Sequence, residues 1–204
     1  MFEGPDGCGK TTQVRLLGSR LAKAGVPHLL VREPGGTGLG EALRPVILRG
    51  ADMNARSELL LYLAARAALV EERILPALAD GMLVVADRYA LSSLAYQGYG
   101  RGIPVVQVAA AVEFATQGLK PDLTILLELG AEFRRERFRR RSPDRIESAD
   151  EDFHDRVRLG YAELGQGDPS IQVVDSSRGV RAVHRAILEI LGRVWPETFA
   201  SGSG

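Results

Sequence analysis

The feature that most constrains this chain is its opening. Gly4-Pro5-Asp6-Gly7-Cys8-Gly9-Lys10-Thr11-Thr12 follow the spacing G-x-x-x-x-G-K-[ST]. That is the pattern of a loop whose backbone N–H groups wrap phosphate oxygens, with a lysine and a hydroxyl at its end. The plainer alternative is a glycine-rich turn ahead of an ordinary helix. A phosphate loop needs a buried strand before it and a helix after it. Only Met1-Phe2-Glu3 precede Gly4, whereas a strand usually takes about five or six residues. The first strand is therefore expected to be truncated, misassigned or unusually short.

The remaining periodicities predict alternating helices and strands. Val14, Leu17 and Leu21 give a helical stripe from Lys10 to about Ala24, closed by Gly25 and Pro27. Short apolar runs predict buried strands at 28–32, 83–86, 123–129 and 171–175. Helices are expected over 39–48, 56–79, 90–97, 104–117, 131–141, 150–164 and 178–193, with loops at 98–102 and 142–149. The helix at 56–79 is apolar around much of its circumference, so it packs in the core or at a subunit interface. Residues 1–195 read as one domain, and 196–204 as a frayed tail. This alternation predicts an α/β fold, a parallel sheet covered by helices on both faces. Ligands then bind beyond the carboxyl ends of the strands, where the phosphate loop, Arg32-Glu33, Asp87-Arg88 and the segment after Leu129 all fall.

Composition narrows the function. Among 204 residues, 26 basic and 26 acidic side chains cancel, which argues against a large nucleic-acid footprint. Of the basic residues only Lys10, Lys23 and Lys120 are lysines, so a lysine inside the loop is informative. The single cysteine, Cys8, excludes an internal disulfide. No apolar run approaches the roughly 18 residues of a membrane span, and no signal peptide precedes the motif. A cytoplasmic protein without a membrane partner is expected.

The loop glycines, the helix N-terminus after Gly9, Lys10 and Thr11 together assemble a nucleoside triphosphate site, with Thr11 a Mg²⁺ ligand. Asp87 suits the acid that holds Mg²⁺ through water. Arg88 beside it suits an anionic acceptor held by two parallel N–H bonds; a structural ion pair is the plain alternative. Arg66, a charge in an apolar helix, is either a solvated edge or a contact to a substrate phosphate or base. Arg134, Arg135, Arg137, Arg139, Arg140, Arg141 and Arg145 crowd one segment. They form a solvated basic face, an RNA-binding patch, or a lid that brings guanidinium groups over a transferring phosphoryl. Glu136, Asp144 and Glu147 interrupt the positive run, against the RNA reading.

With these motifs in order, the chain resembles the bacterial thymidylate kinases. The resemblance rests on Phe2 through Gln13, Arg32 through Thr37, Ala64-Ala65-Arg66, Asp87-Arg88-Tyr89, Ser92 through Gly98, Pro121 through Thr124 and Asp144 through Glu147. It implies the P-loop nucleoside monophosphate kinase fold with an arginine-rich lid at about 134–149, and transfer of a phosphoryl group from Mg²⁺-ATP to dTMP for dTTP synthesis. It implies ATP binding by the loop from Gly4 to Thr12, with Arg137 on adenine. Asp6 would contact the acceptor sugar or phosphate. Arg32 and Glu33 would shape the acceptor site, and Arg44 and Arg88 would hold the dTMP phosphate. Tyr62 would stack on thymine and Arg66 would bond it. Ser92, Ser93 and Gln97 would line the base pocket, and Tyr96 would crowd the sugar 2′ position. Gly7 stands where some members carry a catalytic arginine, so Arg139, Arg140, Arg141 and Arg145 are the candidates here. A homodimer is also implied. Glu128 departs from the aspartate usual near the end of its strand, and Cys8 from Ala or Ser. Two alternatives stand beside this reading: another nucleoside monophosphate kinase, and a non-catalytic nucleotide- or RNA-binding protein.

Overall fold

The computed structural model describes residues 1–130 and 144–199. The arginine-rich helix expected over 131–141 lies outside them, and so do Arg134, Arg135, Arg137, Arg139, Arg140 and Arg141. Among the described residues a five-stranded parallel sheet runs in the order β2-β3-β1-β4-β5, where β1 is Phe2–Glu3, β2 His28–Arg32, β3 Leu83–Asp87, β4 Thr124–Glu128 and β5 Ile171–Asp175. Each strand is followed by a turn at the same edge of the sheet, because all the pairings are parallel.

The two-residue β1 occupies the centre of this sheet. Phe2 pairs with Asp87 on one side and Ile125 on the other. The ladder extends beyond it, with Ile125 N donating to Met1 O at 2.8 Å and Arg88 N to Phe2 O at 3.0 Å. The first strand is therefore present and short. Its two five-residue neighbours satisfy its backbone, and Phe2 and Glu3 are both buried. Immediately after it, Gly4 (φ 133°) passes so close to β4 that a Cβ would stand 2.3 Å from Leu127 O. Only glycine fits both that dihedral and that approach.

Side chains alternate across the sheet as the strand period requires. Val85, Ile125 and Leu127 point to the face covered by α1 (Lys10–Lys23) and α8 (Val180–Val194), where Leu17, Leu21, Val183 and Ile187 complete the core. On the other face Ala86 packs with Leu69 and Ile74. Leu126 there meets Tyr96, Phe153 and Tyr161, brought by the 94–100 segment and α7 (Glu151–Leu164). Among the described residues the remaining α-helices are α2 (Gly38–Arg49), α3 (Ala55–Leu69), α4 (Leu75–Ala79), α5 (Ala90–Ser93), α6 (Val105–Thr116) and α9 (Pro196–Phe199). Thr37, Asn54 and Asp150 cap α2, α3 and α7 by accepting from Gly40 N, Ser57 N and Phe153 N.

Three local expectations need correction. The helix read at 56–79 widens into a π-helical turn at Val70–Ile74 between α3 and α4. Pro76 follows at the start of α4; it lacks an N–H, and a locally wider turn is one way a helix passes such a residue. The loop expected from Gly98 is instead a second π-helical turn, Leu94–Gly100. Gly100 permits this, since a Cβ there would lie 2.6 Å from the Phe153 ring. Residues 196–199, read as part of a frayed tail, form α9, and Phe199 is buried in the core beside Leu191. The remainder of that tail, 200–204, lies outside the described residues.

Candidate active site

The polar turns at the carboxyl ends of the strands enclose one cleft of about 1080 Å³. Its donor end is the glycine loop. Lys10 is buried and its Nζ donates to Gly4 O and Pro5 O, both at 2.9 Å. Asp6 through Thr12 line the cleft, while Gly4 and Pro5 lie behind, as acceptors for that lysine. Thr11 Oγ1 donates to Asp87 Oδ2 at 2.5 Å. This end presents a helix N-terminus, an ammonium, a hydroxyl and a carboxylate, which suits a polyphosphate and its cation.

The other end is built around Arg88. Arg88 has φ 75°, in the left-handed region unusual for a non-glycine residue, and its backbone N–H is held by Phe2 O. Its guanidinium pairs with Asp6 and donates to Gly4 O and Ser92 Oγ at 3.0 Å, and to Tyr161 and Tyr96 hydroxyls at 3.2 Å. Tyr96 in turn donates to Asp6 Oδ2 at 2.7 Å. Burial alone would raise the Asp6 carboxyl, but the charges of Arg88 and Lys10 and the hydrogen bonds from Tyr96 and Arg88 outweigh it. They bring its pKa from 3.8 down to about 2. Burial pushes the Tyr62, Tyr96 and Tyr161 hydroxyls well above their usual range, so all three are neutral at pH 7.

Deeper on this side, Arg66 is only 1% exposed. It donates to Glu33 Oε2 at 2.7 Å, Ser93 Oγ at 2.9 Å and Tyr89 O at 2.8 Å. It lines the cleft, which removes the solvated-edge alternative. Glu33 Oε1 is buried without a hydrogen-bond partner among the described residues. Burial lifts the Glu33 carboxyl above its usual range although Arg66 opposes it. Arg44, Tyr62 and Gln97 also line the cleft, with Arg44 donating to Pro34 O at 2.5 Å. Arg32 sits at the rim, more than half exposed and paired with Glu41 at 3.3 Å. Ser92 lines the cleft too, yet its hydroxyl donates to Glu3 Oε2 at 2.6 Å, so it serves the framework more than a ligand.

Arg145, a candidate for the transferring phosphoryl, is placed against Glu58 and α2. Its NH1 lies 2.8 Å from Glu58 Oε2, and its Nε donates to Ile47 O at 3.1 Å. It is absent from the cleft wall, which Asp144, Ile146 and Glu147 line instead. Sequence reasoning also missed Glu3, whose buried carboxylate accepts from Tyr89 N, Ser92 and Tyr161. A charge in so short a strand was a usable signal. Ser176, Arg178 and Val180 were missed as well; they line the cleft beyond β5. The Arg137 assignment lies outside the described residues.

A thymidylate kinase family model matches residues 2–187. The chain belongs to the thymidylate kinase family. It is 42% identical over 189 residues to the thymidylate kinase of Fervidobacterium nodosum, covering 93% of this chain and 95% of that protein. It is 44% identical to that of Caldanaerobacter subterraneus subsp. tengcongensis, covering 92% and 91%. The crystal structure of thymidylate kinase from Ehrlichia chaffeensis superposes with a TM-score of 0.78 at 31% identity, over 93% of this chain and 95% of that one. The five-stranded parallel sheet flanked by helices matches that structure over most of both chains, which makes this a P-loop nucleoside monophosphate kinase fold.

Proposed function

We infer that this chain is a kinase that transfers the terminal phosphoryl group of ATP to dTMP, giving dTDP and ADP on the route to dTTP. The observation that carries the reading is the family membership of a chain whose phosphate loop faces a second, arginine-centred anion site across one cleft. Phosphoryl transfer asks for positioning and charge neutralisation more than covalent help, and the two ends supply these separately.

In this reading the loop N–H groups and Lys10 hold the donor phosphates. Thr11 and Asp87 fit a Mg²⁺ ion, because both offer hard oxygens and Mg²⁺ needs only one or two protein ligands when phosphates supply the others. When bound, the ion neutralises charge on the donor phosphates. Arg88 and Arg44 hold the acceptor phosphate, while Asp6 keeps Arg88 oriented and meets the sugar. Tyr62 stacks on the base, and Arg66, Ser93 and Gln97 read its edge. Tyr96, fixed between Asp6 and Arg88, crowds the 2′ position. With Arg145 tied to Glu58, the arginines left for the transferring phosphoryl are Arg139, Arg140 and Arg141, since Gly7 has no side chain. Arg137 is assigned to adenine. Exposed Leu60 on α3 and Val106 and Phe114 on α6 support a homodimer through these helices. Among the described residues no helix is long and apolar enough to cross a membrane, and one buried cysteine fits the reducing cytoplasm.

The test is coupled ADP release with dTMP, UMP, CMP and AMP as acceptors. dTMP is expected to exceed all others in kcat/KM. An enzyme that uses UMP as well as dTMP overturns the base-pocket assignment. RNA affinity with steep salt dependence, without ADP release, would favour the binding-protein alternative.

A further inference from the structure

Behind the base-reading residues lies a carboxylate that the reaction itself does not use. Glu58, in the first turn of α3, is fully buried. Four N–H donors converge on it. Gln97 Nε2 and Arg101 Nε reach Oε1 at 2.9 and 3.2 Å. Arg101 NH2 and Arg145 NH1 reach Oε2 at 3.0 and 2.8 Å. An ionised carboxylate only accepts, with about four lone-pair sites, so this one is saturated. Burial would raise the Glu58 carboxyl, but the hydrogen bonds of Arg101 and Gln97, the charge of Arg101 and the Arg145 contact together hold it below its usual range.

The consequence falls on Gln97. A primary amide has two nearly isosteric ends, and either can ordinarily face a ligand. Against a saturated carboxylate only the NH₂ end fits. Turning the carbonyl towards Glu58 would oppose two acceptors in a buried site and take from Oε1 the closer of its two donors, leaving it only Arg101 Nε. Gln97 also lines the cleft, and its Oε1 meets no donor among the described residues. We propose that Glu58 is a positioning residue that locks the Gln97 amide with its carbonyl towards the acceptor base, so that the site takes a pyrimidine with a donor N–H at position 3 and rejects the cytosine edge. Arg66, which can only donate, complements the neighbouring 4-keto oxygen. Cytosine presents the reverse order, an acceptor at N3 and a donor at C4. This assignment rests on the dTMP reading above and adds the residue that sets its polarity. The same carboxylate also holds Arg145, so Arg145 and the base-reading side chain are tied to one group.

The decisive comparison uses dTMP and 5-methyl-dCMP, which share the methyl group and differ only along the edge in question. Each is assayed with the full-length wild type, Glu58→Gln, Gln97→Ala and the double variant. Binding constants are used where turnover is too slow. In Glu58→Gln the new amide can face its NH₂ to Gln97 and let that side chain reverse. The preference for dTMP is therefore expected to fall about tenfold or more, through worse dTMP and better 5-methyl-dCMP use, with KM for ATP unchanged. In the Gln97→Ala background the same substitution is expected to change the preference by less than about twofold, because its route is gone. An unchanged preference in Glu58→Gln, or an equal loss in both backgrounds, overturns the assignment and leaves Glu58 a structural anchor for Arg101 and Arg145. A wild type inactive on dTMP overturns the kinase reading instead, so the two failures are separable. Should Glu58→Gln fail to fold, neutron diffraction on the wild type in deuterated buffer decides. Deuterium on the Gln97 atom facing Glu58 is expected, and its absence there overturns the proposal.

Discussion

The two ends of the cleft are built differently. The donor end is mostly local: Gly4 through Thr12 fold on themselves, with Lys10 bonded to carbonyls five and six residues away, and Asp87 joins them from the end of β3. The acceptor end is assembled from distant pieces. Asp6, Arg88, Tyr96 and Tyr161 meet across as many as 155 positions, and Glu3, Glu33, Glu58 and Arg66 are all buried charges. A polyphosphate needs positive charge and N–H groups, which a short loop supplies alone. A base and sugar need several fixed directions at once, and those require buried, mutually held side chains. The donor end should accordingly fail in rate when altered, and the acceptor end in stability and selectivity.

The largest expected effect breaks the donor end. Lys10→Ala should lower kcat on the order of 10³-fold, or about 4 kcal/mol, the scale of removing one preorganised charge from a developing anion. Its melting temperature should change little by comparison, which steady-state kinetics and calorimetry on one preparation check. On the acceptor side, Arg66→Leu should cost about 3–5 kcal/mol of stability by leaving Glu33 buried without its partner. Adding Glu33→Leu should return most of that loss in denaturant melts, while dTMP selectivity stays impaired. A smaller effect concerns Asp6. Its folded pKa of about 2 lies below the ordinary 3.8. Its contribution is thus complete above about pH 4 and fades as pH falls towards 2, by about 2 kcal/mol in all. Urea titrations between pH 5 and 2.5 should show the wild type losing about two thirds of that amount more than Asp6→Asn, since pH 2.5 still lies above the folded pKa. Smallest of all, Arg178→Ala at the exposed donor rim removes a side chain that is 71% exposed. It should shift stability by no more than about 0.5 kcal/mol and should spare dTMP selectivity, as assays with both substrates would reveal.

Much of this was legible in the chain. The apolar run at 123–129 holds the strand Thr124–Glu128, buried at four of its five positions, because a strand covered on both faces leaves a continuous apolar signature; the runs at 28–32 and 171–175, expected to be buried, are the partly exposed edge strands His28–Arg32 and Ile171–Asp175. The phosphate loop was legible because its parts are consecutive. Pairings were not. Arg145 shares its arginine run with residues expected over the phosphates, and nothing in that run says that Glu58, 87 positions earlier, holds it. Ser92 lines the cleft, yet nothing near it in the sequence says that its hydroxyl is bonded to Glu3, 89 positions earlier. Glu58 itself gave no signal, being one more acid near a helix N-terminus, where acids are common. The tail misled because Phe199 has no period to report, only a hydrophobic gap to fill beside Leu191.

By itself, then, the sequence determined the alternation of strands and helices, the edge at which ligands bind and the phosphate loop, since each depends on residues adjacent or periodic along the chain. Tertiary structure decided that a two-residue strand suffices at the centre of the sheet, because its neighbours satisfy its hydrogen bonds on both sides. It also decided which charges face a ligand and which face one another. A buried guanidinium or carboxylate must find its partner wherever the fold brings one, and that partner is set by three-dimensional proximity, which no local pattern encodes.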